Sequence, residues 1–271
     1  MGAEENKLNK MKTLKMFGMA AIAVLMGVGF ASCSKENLSG NGNETPEKTE
    51  DFFYNEKKLV KETWESGSGS TGYYIYEYDD KGRLTRFMSD SGWGSNGIEY
   101  IWGDDAIQEI GNGNNIYTVK DGLIQDGDIT YNKSNRPVEI QNWDDNKTTL
   151  IWDSDKLMSI VDGVYLTTLT YGEPCKKGYF PYNPLYLEMP LAWAHPELFG
   201  IRTKQLPATI TEKYDGFNYE GTLTGGYVAT STYTYEFDKD GYIVKTIEQY
   251  NKVSQDGTKT SYTYTTLYTW E

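Results

Sequence analysis

The stretch Tyr73–Phe87, YYIYEYDDKGRLTRF, decides the fold. In its first half Tyr74, Tyr76 and Tyr78 fall on one face of an extended chain, with Ile75 and Glu77 on the other. Leu84-Thr85-Arg86-Phe87 then reads as a second strand. Between them, Asp79-Asp80-Lys81-Gly82 is a polar turn whose glycine can take the positive φ that a tight hairpin needs. The segment therefore predicts two antiparallel strands joined by a short turn.

The same grammar recurs along the chain. Tyr233–Phe237, Asp238-Lys239-Asp240-Gly241 and Tyr242–Ile247 repeat it closely, and residues 54–64, 115–125, 128–141 and 149–161 are weaker copies. The composition agrees, because 23 Tyr and 7 Trp with many Thr, Ile and Val suit a half-buried pleated surface. The expected fold is all-β, a large antiparallel meander of roughly 14–18 strands at five to six residues each. So many strands cannot stay flat, so the sheet should be strongly twisted or partly closed. Residues 172–200 break the rhythm with five of the eight prolines. A short helix over Leu185–Trp193 and a single turn from Pro196 are expected there, as a buried plug or as a lid that touches ligand through Trp193 and Tyr182.

Tyr76-Glu77-Tyr78-Asp79-Asp80-Lys81-Gly82-Arg83-Leu84 resembles the YD repeat of bacterial surface and toxin-shell proteins. The whole layout of 51–271 is similar to a family of uncharacterised Bacteroidota lipoproteins. In that family YD-like hairpins are followed by a Gly-x-x-Ser/Thr-x-x-Leu-Pro segment, here Gly200–Pro207, and by one last hairpin, here Tyr233–Ile247. The resemblance implies architecture and carries no catalytic residues.

The N-terminal fifty residues read as address and tether. Lys7, Lys10, Lys12 and Lys15 precede an apolar run, Met16–Phe30, which as a helix reaches only about 22 Å and is too short to span a bilayer core. Phe30-Ala31-Ser32-Cys33 resembles the bacterial lipobox, which implies lipidation of Cys33 after the thiol takes a diacylglycerol. Residues 1–32 are thus expected to be a lipoprotein signal peptide, 33–50 a flexible polar tether, and 51–271 a single domain. The acidic Glu36 soon after the cysteine resembles a surface-export signal of Bacteroidota lipoproteins.

Charge narrows the partners. The chain carries 26 Lys+Arg against 39 Asp+Glu, −13. Four of the lysines and two of the glutamates precede Cys33, which leaves 22 against 37, or −15, from Cys33 onward. That field repels phosphate backbones, so no nucleic acid is expected. With Cys33 lipidated, Cys175 has no disulfide partner and His195 is the only histidine, so neither a Cys/His zinc site nor a thiol nucleophile is expected. Glu236-x-Asp238-x-Asp240-Gly241 approaches a calcium loop, but Ile247 stands where a bidentate Glu is required. No nucleophile elbow or phosphate loop occurs.

These readings converge on a lipid-anchored outer-membrane protein, surface-exposed or facing the periplasm. Its expected role is non-catalytic, a monomeric binding or scaffold module for glycan, peptide or an envelope protein, without cofactor or metal. Trp93, in the Gly/Ser-rich SGWGSNG, is the tryptophan expected to be exposed for such contact. The alternatives are a carrier of apolar ligands or lipoproteins and, third, a glycan-active hydrolase.

Overall fold

Sixteen antiparallel strands form one sheet in this computed structural model, which describes residues 57–90, 97–111, 114–125, 127–141, 147–179, 190–201, 203, 205–216 and 225–271. They are β1 Leu59–Ser66, β2 Thr71–Tyr78, β3 Leu84–Ser89, β4 Ile98–Trp102, β5 Ala106–Ile110, β6 Ile116–Lys120, β7 Leu123–Ile124 and β8 Ile129–Tyr131. The second half holds β9 Pro137–Gln141, β10 Lys147–Asp153, β11 Lys156–Asp162, β12 Tyr165–Pro174, β13 Gln205–Tyr214, β14 Tyr227–Phe237, β15 Ile243–Ser254 and β16 Lys259–Trp270. Cys33, the expected signal segment and the tether lie outside the described residues, as do Trp93 and Tyr182.

Strands β1–β7 and β8–β16 each pair with their neighbours in sequence, and β1 also pairs with β16 through Leu59↔Trp270 and Glu62↔Tyr268. The edges of the sheet are therefore β7 and β8, which are consecutive in the chain. Residues 125–128 join them, and five Cα steps reach at most about 18 Å. The sheet must curl until its two edges nearly meet. It is not closed, since β7 and β8 share no backbone ladder. Across this seam the Tyr131 hydroxyl donates to the Ile124 carbonyl at 2.9 Å.

That bond is one of a set. Tyr78, Trp102, Tyr131, Trp152, Tyr171, Tyr235 and Trp270 sit near the ends of even strands. Each donates to a carbonyl of the preceding odd strand, on Leu59, Leu84, Ile124, Pro137, Leu157, Pro207 and Ile243 respectively, near the strand's start in every case but Ile124, which ends β7. The aromatic ring fills the interior while its polar atom satisfies a backbone group that the bulged strand start leaves over. The turns beyond repeat as well. Asp79, Asn132 and Asp238 each accept from the N–H two and four residues on. Gly82, Asn135 and Gly241 take the positive φ, at 73°, 58° and 95°.

The long connection from β12 to β13 turns inward at this same end. Helix α1, Pro190–Ala194, and the 3-10 turn Pro196–Phe199 are buried, with Leu191 and Phe199 fully so. Trp193 packs on Tyr74 and Phe87 at centroid distances of 5.4 and 5.7 Å. Gly200 ends the turn at φ 70°, and an added Cβ there would meet the Asn135 carbonyl oxygen at 2.1 Å. Arg136 Nη1 donates to the Gly200 carbonyl, and the 3-10 turn packs on β7. The described part of the insertion is thus a plug that touches both sides of the seam. Of the helix expected over Leu185–Trp193, Pro190–Ala194 is described, and 180–189 fall outside the described residues.

Candidate functional site

Register decides which side chains meet on the inner face. Cross-strand partners point the same way, so the pairings Tyr165↔Tyr214↔Tyr227 put three tyrosines from β12, β13 and β14 in one row. Two residues further along the strands, Glu212↔Ala229↔Lys252 form the next row. Ser231↔Tyr250↔Tyr262 form a third, and Tyr233↔Glu248↔Tyr264 a fourth. Ala229 and Ser231 are small and lie between larger neighbours, which leaves room for the rings beside them.

The rings pair closely. Tyr165 and Tyr214 stack at 4.9 Å, Tyr214 and Tyr227 lie at 5.4 Å, and Tyr250 and Tyr262 stack at 4.3 Å with 8° between planes. Tyr262 meets Tyr264 edge-on at 5.0 Å. Tyr214 is buried, most of the others are half-buried, and Tyr262 is 37% exposed. The face stays open because β14, β15 and β16 run eleven and twelve residues while β4, β5 and β6 run five. The long strands overhang the short ones at the end opposite the plug.

Carboxylates and hydroxyls alternate across this face. Glu212 accepts from the Tyr227 hydroxyl and Glu248 from the Ser231 hydroxyl. Lys252 Nζ lies 3.8 Å from the centre of the Tyr227 ring. Burial and the adjoining Glu212 carboxylate hold the Tyr227 hydroxyl above its ordinary pKa. Burial first, then the neighbouring Tyr250 and Tyr264, push Tyr262 up to about 12. The hydroxyls therefore stay protonated and can donate, while the carboxylates accept. A polyol needs both, together with ring faces for its C–H surfaces.

Deeper in the ring lie two further acids. Glu62, 8% exposed, accepts from Tyr76, and Glu109 accepts from Tyr100, Tyr117 and Asn115. Burial raises both, Glu62 to about 7, and the tyrosine hydrogen bonds offset part of that rise. They are packed in, away from the open rows. His195 is buried as well: Nε2 accepts from the Leu84 N–H at 3.1 Å, so the proton sits on Nδ1, 2.9 Å from Glu197. Cys175 donates to the Lys177 carbonyl, and burial pushes its thiol up to about 11, the wrong direction for a nucleophile. On the outer side a shallow pocket of about 350 Å³ is lined by Thr63, Glu65, Tyr73, Asp90 and Leu267.

Trp193, named as a possible ligand contact, lies on α1 of the plug and packs against Tyr74 and Phe87. The tyrosine rows were absent from the sequence reading. Their signal is alternation at 227, 229, 231 and 233 and at 248, 250 and 252, which only the strand register converts into a shared surface.

No protein-family profile matches the chain, and no curated protein matches it in sequence. A porin-like protein from Bacteroides uniformis is similar in fold, with a TM-score of 0.55 at 16% identity, over 79% of this chain and 98% of that one. A hot-dog-fold protein from Alicyclobacillus acidocaldarius superposes at a TM-score of only 0.18, with 10% identity over 79% of each chain.

Proposed function

We propose that this protein is a lipid-anchored component of a bacterial outer membrane that binds glycan, without turning it over, on the tyrosine face of β12–β16. The observation that carries the reading is the arrangement of half-buried, stacked tyrosines around Glu212 and Glu248 at the open end of the ring. Aromatic faces beside donor and acceptor groups suit a sugar better than an acyl chain, which counts against the apolar carrier. The apolar part of the interior is already filled by Leu191, Phe199 and their neighbours.

Anchoring by lipid suits the outer surface. Described outward positions on β12–β16 include Thr168, Thr211, Thr230, Lys245 and Thr265, whereas a membrane-spanning barrel carries an apolar band there. A lipobox-like Cys33 and the YD-like turns at Asp79 and Asp238 support membership among Bacteroidota envelope lipoproteins.

The test is titration of the full-length protein in detergent with a glycan panel, read by intrinsic fluorescence. Tyr250→Ala and Tyr262→Ala should each weaken the bound glycan about tenfold with an unchanged circular dichroism spectrum. A panel with no binder, or a glycan that the protein cleaves, overturns the proposal.

A further inference from the structure

Neither Glu212 nor Glu248 makes an ion pair among the described residues. Their partners are hydroxyls, Tyr227 and Ser231, which satisfy a lone pair but cancel no charge. Lys252 is the one Lys or Arg that register places on the inner face of β12–β16 among the described residues. Its ammonium spends its position over the Tyr227 ring, 3.8 Å from the centroid. The chain thus seats one cation of its own against a ring of this face. One ammonium against two carboxylates leaves the face negative, and the π faces of the tyrosines add potential of the same sign. The −15 carried from Cys33 onward deepens the field.

We infer that the ligand of the tyrosine face is an amine-bearing saccharide, an amino-sugar oligomer whose protonated amines answer Glu248 and Glu212 while its rings stack on Tyr262 and Tyr250. This rests on the glycan reading above and narrows it by charge complementarity. Tyr262, the most exposed ring of the set, meets the ligand first. Glu248 sits one row away, opposite Tyr264, and the row of Tyr250 and Tyr262 lies between it and the row of Glu212. A neutral or N-acetylated sugar can use the rings but leaves both carboxylates without a counter-charge.

Three oligosaccharides of equal length separate the possibilities: a fully deacetylated glucosamine oligomer, its N-acetylated form and a neutral glucose oligomer. Each is titrated into the full-length protein in detergent at mildly acid pH and low salt. The amine oligomer should bind at least about tenfold more tightly than the other two. Glu212→Gln and Glu248→Gln should each cut that preference by about threefold or more, because Gln keeps an acceptor oxygen and removes the charge. If the acetylated or neutral oligomer, or any other glycan, binds as tightly as the amine form, the amine inference is overturned and glycan binding stands. A preference that survives both Glu→Gln changes and Tyr262→Ala is attraction to overall charge and also overturns it. If no glycan binds at all, the parent reading falls with it.

Discussion

The Tyr131 hydroxyl donates to the Ile124 carbonyl at 2.9 Å across the junction of β7 and β8, where neighbouring strands of the ring share no backbone ladder. Elsewhere the same aromatic lock accompanies a full ladder, as Tyr78 to Leu59 does beside the β1–β2 pairing. At the seam the lock is a direct tie between strands whose backbones do not pair.

Tyr131→Phe should therefore cost about 1 kcal/mol, the value of a hydrogen bond whose acceptor is left poorly satisfied. The loss should appear as faster amide exchange in β7, β8 and the adjoining 3-10 turn before it appears in the rest of the sheet. Tyr78→Phe, backed by a ladder, should cost a similar amount globally without local opening. Uniform exchange in both variants would show that the seam is not the weak point.

Gly200 is the hinge on which the plug meets the sheet. Ala there must hold φ 70° and place Cβ 2.1 Å from the Asn135 carbonyl oxygen, which is backbone and cannot swing aside. Gly200→Ala should destabilise the protein by at least about 2 kcal/mol in chemical denaturation, since strain and clash add. An unchanged midpoint would mean that the plug does not dock on the β8–β9 turn.

The hairpins were legible because local alternation and Gly-bearing turns encode them, as Tyr76–Leu84 and Tyr233–Ile243 do. That so many strands must curl was legible from their number; which strands would meet was not, because it depends on β1 finding β16 and on β7 and β8 being left as edges, and no local period carries that information. The tyrosine face has the same origin. Tyr165, Tyr214, Tyr227, Tyr250 and Tyr262 come from five strands, and a register slip of one residue would turn any of them outward. Proline density did mark the insertion, and the apolar Leu191 and Phe199 decide that its described part is buried.

The turn acids are interchangeable with amides where only their acceptor oxygen is used. Asn132 performs in its turn what Asp79 and Asp238 do in theirs, with bonds of 2.9 and 3.0 Å. Asp238→Asn should accordingly change stability by less than about 0.5 kcal/mol, its 3.8 Å contact with the partly exposed Lys57 being worth little. Asp238→Ala should cost about 1 kcal/mol, by leaving the Asp240 and Tyr242 N–H groups without their acceptor. Equal losses in a thermal melt would assign the role to charge instead.

Glu62 sets a pH dependence of stability with a definite sign. Burial raises its carboxyl from 4.5 to about 7 in the folded chain, despite the hydrogen bond from Tyr76. Below the unfolded value both states are protonated and burial costs nothing. Between about 4.5 and 7 the unfolded chain releases its proton while the folded chain keeps it, so stability falls as pH rises through that window. Above it the folded state holds a buried charge, and the full cost is on the order of 3 kcal/mol. Glu109, raised by burial in the same way, acts in the same direction. Glu62→Gln keeps an oxygen for Tyr76 and removes the titration. It should match the native chain in mildly acid urea melts and exceed it at alkaline pH, by an amount that grows across the window. Parallel stability curves for the two proteins from pH 4 to pH 9 would show that Glu62 ionises in the folded chain as freely as it does in water.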